Sequence, residues 1–265
     1  MKKTILIITI ILGLLIFAAC NSDDSTINIG ATQTPHSEIL AQVVPILEEQ
    51  GINLNIIIFD DFITPNQALA AGDIDINYFQ HVPFLENFNY NHGTDLVPVF
   101  GMHFEPLRVY AGQRDSLANI QNAVIAIPDD PTNEARALQL LEYLGLIELP
   151  PGLGLAATAL DIISNPYDIT ILTLDAPMLP PSLPDVDFAV INGNFALAGN
   201  VIHLAIDGAG EHPDSPAAQR FTNHIVTRPD FRDHPGLAAL IDALNTQAIR
   251  DFIYNEYLGR VVPTF

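Results

Sequence analysis

The chain has 265 residues, 49% of them hydrophobic and 15% charged, which excludes a disordered acidic tail and allows a large apolar core. Its 31 Asp and Glu outnumber ten Lys and Arg, so the acidic surface disfavours nucleic acid and anionic lipid as partners. A single cysteine excludes an internal disulfide.

The N-terminal segment predicts export and lipid anchoring. Two lysines precede an apolar run over residues 5–17 that is short for a membrane span, which is typical of a signal peptide at residues 1–19. Phe17-Ala18-Ala19-Cys20 resembles a lipobox, in which Cys20 is diacylated and becomes the first residue of the mature protein. An unmodified thiol after an ordinary cleavage site is the alternative. We therefore expect an extracytoplasmic protein, lipid-anchored to the cell membrane through a tether at 20–27.

Cleavage after residue 19 would leave 246 residues, enough for two lobes. Both lysines would be lost with the signal peptide, so the mature chain would carry eight arginines against 31 acidic residues, a net charge of −23.

Strand and helix patterns alternate along the rest of the chain. Strands are predicted at residues 28–32, 54–59, 74–78, 96–100, 107–111, 123–128, 169–174, 188–192 and 224–228. Helices are predicted at residues 37–50 (broken or kinked at Pro45), 65–71, 82–91, 133–144, 155–163 and 237–257. This alternation predicts an α/β architecture with mainly parallel sheets, whose ligand site lies at the carboxyl ends of strands.

Residues 126–136 join a strand to a helix capped by Thr132 or Asn133. Arg136 would then lie in the first helical turn, where the helix dipole disfavours a cation unless a carboxylate or an anionic ligand accompanies it. Both readings stay open, because a guanidinium suits a salt bridge and a ligand carboxylate equally. The local carboxylates are Asp129, Asp130 and Glu134.

Two further strand ends carry candidate binding residues. Tyr78, Phe79 and His81 either pack in the core or line an apolar slot for a small molecule. Asn192 either belongs to an ordinary Asn-Gly turn or hydrogen-bonds a zwitterion, since an amide both donates and accepts.

Motifs typical of catalysis are missing from the sequence. There is no thiol nucleophile besides Cys20, no Gly-x-Ser-x-Gly, no phosphate-binding glycine loop and no His-Glu-x-x-His. The eight histidines lack metal-ligand spacing, so a metal site would require convergence in the fold. Binding is favoured over catalysis, and no cofactor or metal is expected.

Several dispersed motifs, in order along almost the whole mature chain, resemble the NlpA-type methionine-binding lipoproteins, the substrate-binding components of methionine ABC importers. The motifs are Asp73–Asn77, Phe79–Leu85, Asn133–Leu138 and Val190–Ala196, with support from Thr34–Glu38, Phe59–Leu69, Glu105–Leu107 and Val261–Phe265.

The resemblance implies a type II periplasmic-binding-protein fold, in which two α/β lobes joined by two crossovers close on a ligand cleft. Lobe 1 would comprise residues 28–108 and 225–265, and lobe 2 residues 109–224. The expected partners are a small-molecule ligand, with L-methionine favoured, and an ABC permease with its ATPase. The protein would be monomeric and not an enzyme.

The resemblance also assigns roles to eight residues. Arg136 would pair with the ligand carboxylate, Asn192 and Asn223 would hold the amino-acid backbone, and Asn133 would support the Arg136 loop. The side-chain slot would be lined by Phe62, Tyr78, Phe79 and His81.

Departures from the family pattern bear on the ligand. Phe62 stands where Tyr is common, Arg108 where a small residue is usual, and Pro181 where Arg is usual; Arg220-Phe221-Thr222-Asn223 replaces Pro-Tyr-x-Asn. A methionine-containing dipeptide or another amino acid is therefore an alternative ligand. A surface lipoprotein for adhesion or assembly is an alternative of another class, and an extracytoplasmic hydrolase is the weakest.

Overall fold

The computed structural model describes residues 25–265. The predicted signal peptide and Cys20 lie outside the described residues, and residues 26 and 27, assigned to the tether, already belong to the first strand. Within the described part of the chain, no helix has both the length and the apolar character that crossing a membrane requires.

The first sheet has six strands. In spatial order they are β11 (Val262–Pro263), β4 (Val97–Phe104), β10 (Thr222–Thr227), β3 (Ile76–His81), β1 (Thr26–Ala31) and β2 (Asn53–Ile58). Parallel pairing joins β1 to β2 and β3, while β10 runs antiparallel to both of its neighbours.

The second sheet has five strands. In spatial order they are β7 (Thr170–Leu174), β6 (Val124–Pro128), β8 (Phe188–Ile191), β5 (Arg108–Ala111) and β9 (Ala205–Gly210). Strand β6 is parallel to β7 and β8, and β5 is antiparallel to β8 and β9.

Helices pack on both faces of each sheet. They are α1 (Glu38–Ala41), α2 (Val44–Glu49), α3 (Thr64–Ala71), α4 (Val82–His92), α5 (Pro131–Tyr143), α6 (Leu179–Ser182), α7 (Gly193–Ala198), α8 (Pro216–Arg220), α9 (Pro235–Leu244) and α10 (Gln247–Tyr257). Each sheet therefore has its own pair of apolar cores, one on either face.

The prediction of mainly parallel sheets is wrong, because both sheets are mixed. The antiparallel pairs arise at the two crossovers: β5 enters the second sheet against β8, and β10 returns to insert between β3 and β4. The predicted lobe boundary at 224/225 falls inside β10, so sheet membership favours a boundary in the connection between Gly210 and Thr222.

Several element predictions are corrected. The chain breaks between α1 and α2 just before Pro45, as expected, but residues 155–163 form only two short 3₁₀ turns. A capping box in which Asp161 accepts from the Thr158 amide begins the second turn, and Leu160 is 97% exposed. The helix predicted at 237–257 is two helices, since Asn245 ends α9 and Thr246 caps α10.

Strand β3 is buried along its whole length because it lies in the middle of the first sheet. Asn77 is fully buried and donates to Asn66 Oδ1 at 2.8 Å. Gln80 donates to the same oxygen at 2.6 Å, so a polar cluster behind the strand end satisfies these buried amides.

Candidate ligand-binding site

A small polar cavity lies between the two sheets, where β3, β6 and β8 end and β10 begins. Its lining residues are Phe62, Phe79, Gln80, His81, Phe84, Glu105, Asn133, Arg136, Asn192, Gly193, Asn194 and Asn223. Antiparallel pairing of β10 with β3 sets Asn223 directly opposite His81. The cavity volume is ≈ 20 Å³, room for about one water molecule.

Arg136 is positioned by the start of α5. The N-cap is Asp130, whose carboxylate accepts from the Asn133 amide at 3.0 Å, and not Thr132 or Asn133 as predicted. The helix begins at Pro131, so Arg136 lies in its second turn and the dipole argument for an accompanying anion is weaker than the sequence suggested.

The guanidinium of Arg136 is buried and paired with a carboxylate distant in sequence. Nε and Nη2 donate to the two oxygens of Glu211 at 2.8 and 2.5 Å, and Nη2 also donates to the Glu105 carbonyl at 2.9 Å. The three local carboxylates are not its partners. Nη1 makes no hydrogen bond to any described residue, and Arg136 lines both this cavity and a neighbouring one.

Asn133 connects three parts of the site. Its Nδ2 donates to Asp130 at 2.8 Å, while its Oδ1 accepts from Asn192 Nδ2 at 3.1 Å and lies 3.2 Å from His81 Nε2. Asn192 Oδ1, in contrast, is buried without a hydrogen-bond partner among the described residues. A buried acceptor left unpaired costs about 1–3 kcal/mol, so Asn192 Oδ1 favours a group that can donate to it.

His81 is held as a neutral imidazole. Its Nδ1 accepts from the Phe84 amide at 3.2 Å, capping α4, so the proton lies on Nε2 and is donated to Asn133. Burial, with the charge of Arg136 as a smaller cause, lowers the pKa of His81 to about 3.

A second buried cluster lies behind Asn223. His36 Nε2 contacts Asn223 Oδ1 at 3.3 Å and lies 3.5 Å from Glu105 Oε1, which His103 Nε2 contacts at 2.8 Å. Burial lowers the pKa of both histidines to about 3 and raises that of the Glu105 carboxyl. Among the described residues, only these three side chains stand close enough to hold a metal ion, within 4.8 Å of one another. Spacing in the sequence did not reveal this convergence.

The cavity has an aromatic wall. Phe62 stacks on Phe79 at a centroid distance of 5.9 Å and contacts Phe84 and, across the two sheets, Phe195 at 4.8 Å. These rings form an apolar surface opposite the polar groups of the cavity.

Seven of the eight predicted ligand-binding residues line this cavity: Phe62, Phe79, His81, Asn133, Arg136, Asn192 and Asn223. Tyr78 does not; it is fully buried and its hydroxyl bonds His103 Nδ1 in the neighbouring cluster. Sequence reasoning missed Glu105 and Glu211 as site residues. The motif Glu105–Leu107 was a signal for the first, whereas nothing in the sequence marked the second.

Two helix-flanked sheets, joined by two connections and enclosing a polar cavity at their strand ends, define the fold of a periplasmic substrate-binding protein. Residues 27–265 match the NlpA lipoprotein family, and the chain belongs to this family. Its members are solute-binding lipoproteins, so the chain is a substrate-binding protein of the ABC-transporter type and not an enzyme.

Known relatives cover almost the whole chain. The D-methionine-binding lipoprotein MetQ of Salmonella typhimurium is 34% identical over 98% of this chain and 97% of its own. A nutrient-binding protein from Burkholderia cenocepacia, bound to methionine, has 37% identity and a TM-score of 0.82, covering 90% of this chain and 100% of that one. An ABC-transporter periplasmic substrate-binding protein from Coxiella burnetii has 35% identity and a TM-score of 0.80, with the same coverage. The predicted family and two-lobed fold are thereby confirmed.

Proposed function

We propose that this protein captures methionine outside the cytoplasm and delivers it to an ABC permease, held to the membrane by a lipid on Cys20. Arg136 and Asn192 bind the carboxylate and the ammonium of the amino acid, and the phenylalanine wall takes its side chain. A thioether is apolar and polarizable and packs well against aromatic rings.

The observation that carries this proposal is the unpaired Asn192 Oδ1 beside a buried guanidinium whose Nη1 has no partner among the described residues. A zwitterion supplies what each lacks, since its ammonium donates to the amide oxygen and its carboxylate accepts from Nη1. The Glu105 carboxyl in the same wall adds a second acceptor for the ammonium. Methionine-binding relatives at about a third identity support the choice of side chain.

Ligand entry requires movement of the cavity walls. The ≈ 20 Å³ cavity is smaller than an amino acid, and the Phe62–Phe195 contact closes it between the sheets. Hinge closure of two lobes about a ligand would reconcile this geometry with binding.

Isothermal titration of the purified protein with L-methionine tests the proposal. We expect a saturable heat whose Kd rises at least tenfold, about 1.4 kcal/mol, in Arg136→Ala. The exposed Arg232→Ala is the matched control and should bind as the wild type does. Because Arg136→Ala leaves Glu211 buried and unpaired, Asn192→Ala gives a second variant that keeps the ion pair.

A ligand panel separates the alternatives. A second cavity of ≈ 330 Å³, lined by Arg136, Leu140, Glu211 and Phe221 among others, adjoins the guanidinium and offers room for a longer ligand. A methionine-containing dipeptide that binds more tightly than methionine would move the assignment to peptides. No heat with any amino acid or dipeptide would overturn the proposal and favour an adhesion or assembly role.

A further inference from the structure

A third pocket, which shares only Gly193 with the lining of the amino-acid cavity, has a strongly cationic lining. It lies where the connection after α10 meets β5 and has a volume of ≈ 170 Å³. Its lining residues are Pro106, Arg108, Tyr110, Gly193, Ile202, Ala205, Leu258, Gly259 and Arg260. No Asp or Glu belongs to that lining, although the chain has 31 acidic residues.

Two of the eight arginines of the chain meet in this pocket without a counter-ion. Arg114, Arg136 and Arg228 form ion pairs with carboxylates, and Arg250 donates to the Phe265 carbonyl. The side chains of Arg108 and Arg260, like those of Arg220 and Arg232, make no hydrogen bond or ion pair with any residue from 25 to 265, and Arg108 and Arg260 share a pocket. Since acidic side chains outnumber arginines almost four to one, this lack of pairing within a shared pocket indicates that its counter-charge comes from outside the chain.

The backbone holds these donors in place from both sheets. Arg108 and Tyr110 are two residues apart on β5, so their side chains point to the same face. Opposite Arg108 in the ladder lies Gly210, where a Cβ would come within 2.6 Å of the arginine stem, so the glycine makes room for that stem. Arg260 comes from the turn that joins α10 to β11 of the first sheet.

The third donor is the hydroxyl of Tyr110. This side chain is 1% exposed, lines the pocket and forms no hydrogen bond to another described residue. Burial raises the pKa of Tyr110 to about 12; the charges of Arg108 and Arg260 oppose the rise and the charge of Glu105 adds to it, so the phenol keeps its proton and can donate it in a hydrogen bond.

We propose that Arg108, Tyr110 and Arg260 form a second binding site, which takes a small free oxyanion of the phosphate or carboxylate class. Two guanidinium groups offer only donors and the phenol can add a third donor, which suits such an anion. A pocket of ≈ 170 Å³ is below the 300–1,000 Å³ typical of sites for larger organic ligands, so a small anion fits its size. The negative charge of the whole chain opposes anions only weakly here, since 0.15 M salt screens charges beyond about 8 Å.

The three donors of this site do not line the amino-acid cavity, although Gly193 lines both pockets. Arg108 comes from the second sheet and Arg260 from a segment of the first, so a bound anion would tie the two lobes together close to a crossover. Arg108 is also one of the residues at which the sequence departs from the family pattern, so the site is expected to be a property of this chain.

Titration with inorganic phosphate tests the proposal. At constant ionic strength set with sodium chloride, we expect a saturable heat with the wild type and at least a tenfold higher Kd in Arg108→Gln and in Arg260→Gln. Arg232→Gln is the matched control, because Arg232 is exposed, unpaired among the described residues and outside the pocket. Acetate, titrated in the same way, tells whether a carboxylate suffices.

Two results would overturn the proposal: no saturable heat with phosphate or acetate, or an equal loss in the Arg232→Gln control. Arg260 is exposed, so its replacement keeps the proposal testable if Arg108→Gln fails to fold. Methionine binding measured in the same variants should be retained. A variant that loses phosphate binding but keeps methionine binding therefore supports this site. Absence of methionine binding in the wild type and in all variants would instead contradict the proposed function.

Discussion

The single guanidinium of Arg136 pairs with Glu211 and, in the proposed function, also binds the carboxylate of the ligand. Glu211 accepts from Nε and Nη2, which fixes the plane of the group, and Nη1 is left without a partner among the described residues. Glu211 also accepts from the Leu107 amide at 2.9 Å, so the same carboxylate joins the two crossovers. Glu211 is thus a positioning residue for the proposed ligand clamp.

Replacing Glu211 by Gln should lower the free energy of unfolding by about 3–5 kcal/mol, because it leaves a buried guanidinium without its counter-charge. The pair is well shielded, with side-chain exposures of 5% for Arg136 and 10% for Glu211. Urea unfolding followed by circular dichroism measures the change.

Asp230→Asn is the control for that measurement. Asp230 pairs with Arg228 but is 77% exposed, so its loss should cost no more than about 1 kcal/mol. Equal losses in the two variants would show that the Arg136–Glu211 pair contributes no more than a surface contact.

Single residues also show where sequence reasoning succeeded. Asn192, Arg136 and His81 could be predicted because each follows a strand end and belongs to a recognisable stretch. Glu211 could not, because its partner lies 75 residues away and its own surroundings carry no periodic pattern. Tyr78 lies outside the cavity lining because its hydroxyl bonds His103, a contact that local sequence does not encode.

At the scale of elements, the start of α5 organises the polar half of the cavity. Asp130 accepts from the Asn133 amide with one oxygen and from its side-chain amide with the other. The oriented Asn133 then accepts from His81 and Asn192. One N-cap therefore fixes the hydrogen bonds of three cavity residues.

Asp130→Ala should lower the free energy of unfolding by about 1 kcal/mol, as loss of an N-cap does, and should also weaken methionine binding about tenfold through loss of Asn133 orientation. Thermal unfolding and calorimetric titration measure the two effects.

Thr246→Ala is the matched control for Asp130→Ala. Thr246 caps α10 by accepting from the Ile249 amide, far from the cavity lining. We expect a similar loss of stability with unchanged methionine affinity. A parallel loss of affinity in both variants would mean that stability, and not the orientation of Asn133, controls binding.

Strand and helix positions were largely predictable from periodicity, but sheet direction was not. Local patterns identify β5 and β10 as strands, whereas their antiparallel pairing depends on how the crossovers enter each sheet. Residues 155–163 resembled a helix because Leu155, Leu160 and Ile163 are apolar, yet Leu160 and Ile163 are exposed, and the extended N-cap at Thr158 separates the two short turns. Tertiary context decided both features.

At the scale of the whole molecule, the acidic surface and the buried neutral histidines change the stability of the fold in opposite directions as the pH falls. His36, His81 and His103 have pKa values lowered by burial to about 3, and burial also lowers that of His224. These side chains are neutral in the folded protein but become protonated in the unfolded chain below the ordinary value of 6.5. Unfolding therefore takes up protons between about pH 6.5 and 3, and stability falls as pH falls through that window.

The free energy of unfolding should accordingly decrease from pH 7 to pH 5.5. Each of the three strongly shifted histidines contributes up to about 1.4 kcal/mol per pH unit, and the raised pKa of Glu105 acts in the opposite direction, so the net decrease should be about 2–3 kcal/mol. Urea unfolding at pH 7.0, 6.0 and 5.5 measures this decrease in the free energy of unfolding. These pH values lie above the range in which most surface carboxylates titrate. His36→Gln should flatten the profile, whereas His212→Gln, at a side chain 73% exposed, should leave it unchanged. Stability that is constant or rises from pH 7 to 5.5 would contradict neutral burial of these histidines.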